Sequence, residues 1–123
     1  MTKSKNTGDF GEKLALGFMV SQGFRHITNN YHSKYGEIDV ILENDLYIVF
    51  LEVKTRRNHK FGSGIEAVDK PKRLKIIRTA LDYLSHNPSE KQPRFDVIEV
   101  DFNTQKITHY ENAFSGDDYD AFF

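Results

Sequence analysis

Cysteine is absent from the chain. No disulfide framework, thiolate metal centre or cysteine nucleophile is therefore available. Long apolar runs are missing too: no stretch approaches the ~20 residues that a membrane-spanning helix needs. Met1 to Gly8 is short and polar and lacks the apolar stretch of a secretory signal. No lipidation signal follows at the other end. The expectation from these absences is a cytoplasmic protein without a membrane partner. There is no glycine-rich loop with the lysine and hydroxyl that nucleotide hydrolysis requires. His26, His32, His59, His86 and His109 include no pair at helical spacing for zinc, and no serine or acid stands out for a catalytic triad. A dominant charge is also lacking. The formal net charge is -1, which excludes a globally basic nucleic-acid coat.

The charge that is present is unevenly spread. Lys54, Arg56, Arg57, Lys60, Lys70, Lys72, Arg73, Lys75 and Arg78 make a basic middle, and Glu111, Asp117, Asp118 and Asp120 an acidic end. Such a middle is either a local phosphate-attracting surface or a solvated helix face beside a charged loop. With 123 residues the chain is long enough for one domain with a real core. We expect that domain over residues 1–114, followed by a flexible acidic and aromatic tail over 115–123. Helical spacing of Leu14 with Phe18 and Ala15 with Met19 predicts a helix over Phe10 to Gln22, ended by Gly23. Strands are expected over Ile27–Tyr31, Ile38–Leu42 and Tyr47–Val53, the last two joined at Asn44-Asp45. Asp69 and Pro71 open a second helix, with Leu74, Ile77, Leu81 and Leu84 as its apolar stripe and Asn87-Pro88 as its end. Further strands follow over Phe95–Phe102 and Ile107–Tyr110. Helix, strands, helix, strands predicts an α/β fold with a mixed β-sheet flanked by α-helices.

Within this frame Gly36-Glu37-Ile38-Asp39 and Phe50-Leu51-Glu52-Val53-Lys54 carry the chemistry. Glu52 and Lys54 are two apart, so a strand sends both to one face of the sheet. A two-residue Asn44-Asp45 loop would set Asp39 opposite Phe50 and Glu37 opposite Glu52, on that same face; a longer loop would change the register. Val49, Leu51 and Val53, with Ile38, Val40 and Leu42, would occupy the other face and anchor the pair of strands. Two neighbouring carboxylates repel and invite a cation. Oxygen ligands suit Mg2+ or Mn2+, with a backbone carbonyl near Glu52, that of Val53, as a further ligand. Lys54 could orient an attacking water or stabilise charge on a phosphate, and Arg56 and Arg57 could hold that phosphate nearby. The competing account is a charged outer strand face with Glu52 paired to a lysine.

At these residues the chain resembles the YraN-like family, also called uncharacterised protein family 0102. That family is similar to the restriction-endonuclease-like superfamily, the PD-(D/E)XK nucleases. The resemblance runs from Gly8-Asp9-Phe10-Gly11-Glu12 through Asn30-Tyr31, Gly36-Glu37-Ile38-Asp39, Phe50 to Arg56, Phe61-Gly62, Ala67-Val68 and Arg94-Phe95-Asp96-Val97 to Asn112-Ala113-Phe114. It implies a restriction-endonuclease-like fold, Asp39 and Glu52 as metal ligands, and Lys54 as the catalytic lysine. It also implies that Glu12, from the first helix, approaches the same centre and helps coordinate the metal, although a salt-bridged boundary glutamate would look the same. The implied activity is metal-dependent hydrolysis of DNA, with branched or structured DNA as one substrate class. Arg56, Arg57, Lys60, Lys70, Lys72 and Arg73 are the expected contacts to the nucleic-acid backbone. Two alternatives stand beside it: a nucleic-acid-binding module without cleavage, and a structural protein-interaction component using the C-terminal aromatics. A homodimer would allow paired cuts; the sequence leaves the oligomeric state and any protein partner open.

Overall fold

The computed structural model describes residues 3–57 and 68–116. Helix α1 (Lys3–Ser21) leads into strands β1 (Arg25–Ser33), β2 (Gly36–Glu43) and β3 (Tyr47–Arg56). Helix α2 (Lys70–His86) then precedes β4 (Gln92–Asp101) and β5 (Ile107–Phe114). The five strands form one sheet in the order β1-β2-β3-β4-β5. Its pairs are antiparallel except β3–β4, which is parallel and is bridged by α2. A parallel pair needs such a crossover, because both strands must start at the same end. The sheet is therefore mixed, and a helix covers each face.

Each helix builds its own core. Ala15 and Met19 of α1 meet Val40, Leu42, Val49, Leu51, Ile98 and Val100 on one face. Ile76, Ile77, Ala80 and Tyr83 of α2 meet Ile41, Ile48, Phe50, Phe95 and Val97 on the other. β3 is thus buried on both sides, and its apolar run is the signature of a central strand. Gly23 ends α1 as expected. It adopts a left-handed φ of 95°, while the Phe24 amide donates to Met19 O and the Gly23 amide to Val20 O. α1 also lies unusually close to β3: a Cβ on Gly11 would come within 1.7 Å of Thr55 Oγ1.

Four expectations need correction. The β2–β3 connection is longer than two residues: Asn44 Oδ1 accepts from the Leu46 and Tyr47 amides, and Glu43 pairs with Ile48, Leu42 with Val49 and Ile41 with Phe50. Phe50 therefore faces Ile41, not Asp39. Ile38 packs with the α2-side core instead of accompanying Val40 and Leu42. The expected stripe of α2 holds at Ile77, which is buried, and at Leu74 and Leu84, which pack half-buried against that core, but Leu81 is exposed, and Ile76, Thr79, Ala80 and Tyr83 are buried beside them. The ring of Tyr83 packs against Tyr31 and Phe50 of the sheet, which widens the buried face beyond the leucine positions. Finally, β5 runs on to Phe114, past Tyr110. Its second half is masked in sequence by Asn112, whose φ of 51° accompanies the irregular β4–β5 register between Phe95 and Val97. Residues 117–123 of the expected tail lie outside the described residues.

Candidate metal centre

The β2–β3 pairing is recorded only as far as Val40–Leu51, while β2 continues along β1 to Gly36. The two strands part there. Extending the register by one step sets Asp39 opposite Glu52, so the parting strands hold two carboxylates across a gap. Asp39 Oδ2 accepts a 2.8 Å hydrogen bond from the Val53 amide, the group a continuing ladder would have used. In a strand the N–H and C=O of one residue face the same neighbour, so the Val53 carbonyl faces this gap as well. Glu52 is only 6% exposed. Asp39 and Glu52 line one cavity of about 160 Å³ with Gly36, Glu37, Lys72, Lys75 and Ile76.

Two lysines converge on Glu52 Oε1. Lys54 Nζ lies 3.3 Å away, from two residues along β3, and Lys72 Nζ lies 2.9 Å away, from the first turn of α2. α2 is held in this place by its start: Asp69 accepts from the Lys72 amide at 3.0 Å, and proline occupies the first turn. The parallel β3–β4 pair makes this meeting possible, because the helix crossing the sheet must pass near the carboxyl end of β3. Sequence spacing relates Glu52 to Lys54 but not to Lys72, which the sequence had offered only as a backbone-binding residue.

Burial pushes the Asp39 carboxyl up to about 7, with the Glu52 charge adding to it and the Val53 amide and Lys72 opposing it. Burial also lowers the Lys54 ammonium from its usual range, helped by the neighbouring Lys72. Glu12 is raised by burial first, then by Asp9, Glu37 and Glu52. Glu12 is thus within electrostatic reach of the acid pair. Among the described residues, however, no three acidic or histidine side chains form a ready metal-ligating group. The donor set present is two carboxylates and a facing peptide carbonyl, all oxygen. That set fits Mg2+ or Mn2+, which bind through one or two carboxylates and retain water or phosphate oxygens elsewhere.

The other expected site residues are dispersed. Arg56 Nε is drawn onto the buried Glu99 at 3.3 Å. The Arg57 guanidinium lies over the Phe102 ring at 4.1 Å. Arg73 donates from Nε to Val68 O at 2.7 Å and covers Phe114 at 5.4 Å. Lys70 is exposed at the start of α2. Lys60 and His59 lie outside the described residues. Glu37 pairs with His32 at 2.8 Å. A larger cavity, about 900 Å³, opens elsewhere between the later part of α2 and the β4–β5 strands. Its charged groups Arg94 and Glu111 already bind each other at 2.8 Å, and it lacks the acid–lysine grouping.

A mixed sheet with a helix on each face places this chain in the restriction-endonuclease-like α/β class of folds, with Glu52 and Lys54 on the central strand and Asp39 on its neighbour β2. Within that class it belongs to the uncharacterised protein family UPF0102, whose model matches residues 11–100. A UPF0102 protein of Clostridioides difficile strain 630 is 46% identical over 112 residues, covering 90% of this chain and 98% of the relative. One from Sulfurihydrogenibium sp. strain YO3AOP1 is 47% identical over 109 residues, with 88% and 93% covered. One from Legionella pneumophila strain Corby is 40% identical over 116 residues, with 93% and 97% covered. No helix among the described residues is long and apolar enough to cross a membrane.

Proposed function

We propose that this protein hydrolyses phosphodiester bonds in DNA with a divalent cation held by Asp39 and Glu52. The observation that carries the proposal is the facing acid pair in the gap between β2 and β3, with Lys54 Nζ 3.3 Å from Glu52. Bound Mg2+ or Mn2+ would supply an acidified water and neutralise charge on the phosphate. Asp39 and Glu52 would hold it, with the Val53 carbonyl as a further donor. Glu12 would act from outside that pair by its negative field. Lys54, its proton loosened by burial, would orient the attacking water and, in its neutral form, accept the proton that this water loses. Family membership and fold support the assignment, since the resemblance to the nuclease superfamily implies Asp39 and Glu52 as metal ligands and Lys54 as the catalytic lysine.

The pairing of Lys72 with Glu52 favours a second reading, a DNA-binding module in which lysines neutralise the acids permanently. Purified wild type, Asp39→Ala and Lys54→Ala should be incubated with single-stranded, duplex, flap and four-way-junction DNA in Mg2+, Mn2+ or EDTA. Hydrolysis requires products that depend on metal and fall at least a hundredfold in both folded variants. Salt-sensitive binding without any metal-dependent product would support the module instead.

A further inference from the structure

The positive charge on α2 beside the acid pair shares only Lys72 with the expected nucleic-acid contacts. Arg56, Arg57 and Arg73 are engaged with Glu99, Phe102 and the Val68–Phe114 region respectively. Lys72 and Lys75 line the cavity of Asp39 and Glu52, and Arg78 continues their row on α2. Lys72, Lys75 and Arg78 recur every three residues along it, and the last two are exposed. The tight turn between β1 and β2 is fastened against this row. Ser33 Oγ donates to Thr79 Oγ1 of α2 at 3.1 Å and accepts from the Tyr35 amide at 3.0 Å. A Cβ on Gly36 would stand 3.5 Å from Lys75 Cβ, so the turn already touches the helix. The turn carries Tyr35, which is 39% exposed. Lys34 Nζ lies over its ring at 5.2 Å from the centre and the Arg78 guanidinium over it at 6.0 Å, so a stacking base would take the place of a cation that moves to the phosphate.

We propose that Tyr35 is a stacking platform for an unpaired nucleobase, and that Lys34, Lys75 and Arg78 hold the phosphates around it. The substrate class is then DNA with a single-stranded nucleotide close to the bond cut at Asp39 and Glu52. The proposal rests on the hydrolytic function above and narrows it. A nucleobase offers its face to a protein ring only when it has left the duplex stack, whereas phosphates are available in either form. Basic side chains alone would bind duplex and single strand through charge. An exposed ring set among cations, on a turn bonded to the same helix, adds a contact that duplex DNA cannot make. Lys72 and Arg78 are six residues apart, ~9 Å along a helix, which is about one or two nucleotides of an extended strand.

The test is fluorescence anisotropy in EDTA with two labelled DNAs, a blunt duplex and the same duplex with a four-nucleotide single-stranded extension. Wild type, Tyr35→Ala and Tyr35→Phe are compared. Tyr35→Ala should weaken binding to the extended DNA about five- to a hundredfold, change duplex binding less than twofold, and leave the fold intact because the ring is on the surface. Tyr35→Phe should bind like wild type. 2-Aminopurine in the extension should be quenched by wild type and Tyr35→Phe but not by Tyr35→Ala. Equal losses on both DNAs, or no loss on either, would overturn the stacking role. Metal-dependent cleavage without discrimination would retire this proposal and keep the nuclease. Discrimination without cleavage would keep the stacking role of Tyr35 and overturn both hydrolysis and the substrate class drawn from it, and absence of any DNA binding would remove both proposals.

Discussion

Asp39 shows at the scale of one side chain how a site strains the fold that carries it. Its carboxyl, raised to about 7 by burial and by Glu52, is favoured in the folded protein only while protonated. The contribution is complete below the unfolded value near 4 and is lost as the pH rises toward 7. Above that range the metal-free protein carries a buried charge beside Glu52 without full compensation. Asp39→Asn keeps an acceptor for the Val53 amide and removes the charge. It should stabilise the metal-free protein by about 1–3 kcal/mol at pH 8, measured by urea unfolding. The advantage should vanish near pH 3, where both forms are neutral. Equal stability at pH 8 would show that the acid pair is not under tension.

At the scale of elements, α1 is positioned by what it lacks. Gly11 lets the helix lie on Thr55, and the next residue, Glu12, is thereby brought within electrostatic reach of the acid pair. Rotation of Thr55 offers little escape, because its branched Cβ carries a methyl that would take the place of the hydroxyl. Gly11→Ala should cost roughly 2 kcal/mol by overpacking, with Gly11→Ala/Thr55→Ala recovering part of it in thermal melts. The double variant losing as much as the single would place the cost elsewhere. Some of this architecture was legible in the chain itself. Glu52 and Lys54 stand at strand spacing, Asp69 and Pro71 announce α2, and Gly23 announces the end of α1. The register was not legible, because the turn geometry at Asn44 sets it: its side chain caps the Leu46 and Tyr47 amides and lengthens the loop. Lys72 was not legible as a partner of Glu52, since only the crossover of α2 brings them together. Nor could residue type reveal that Arg56, Arg57 and Arg73 would be engaged by Glu99, Phe102 and Val68.

At the scale of the whole molecule, the two faces of the sheet respond to pH in opposite senses. Asp96, fully buried on the α1 side, accepts from Arg94, His109 and the Asn112 amide. Burial would raise its carboxyl, but those donors, His109 first and then Arg94, outweigh it and hold the group below its usual range. Its contribution is present above the unfolded value and lost as the pH falls through the folded one. Asp96 also fixes β5 to β4 where their register slips. Asp96→Ala should therefore cost about 3 kcal/mol at pH 7 by leaving Arg94 and His109 without their common partner. Its stability should then decline less than that of wild type between pH 4 and pH 2, as followed by circular dichroism. Parallel acid unfolding curves would rule out this role for Asp96.

The order of strands across the sheet is the order in which they are translated. Each new strand can add to an edge already present, with no earlier strand held open for a later one. Asp39, Glu52 and Lys54 are complete once β3 has been made, whereas Lys72 arrives with α2. The acid pair and its first lysine thus belong to the opening meander of the sheet, and the crossover helix that covers this face brings the second lysine to them.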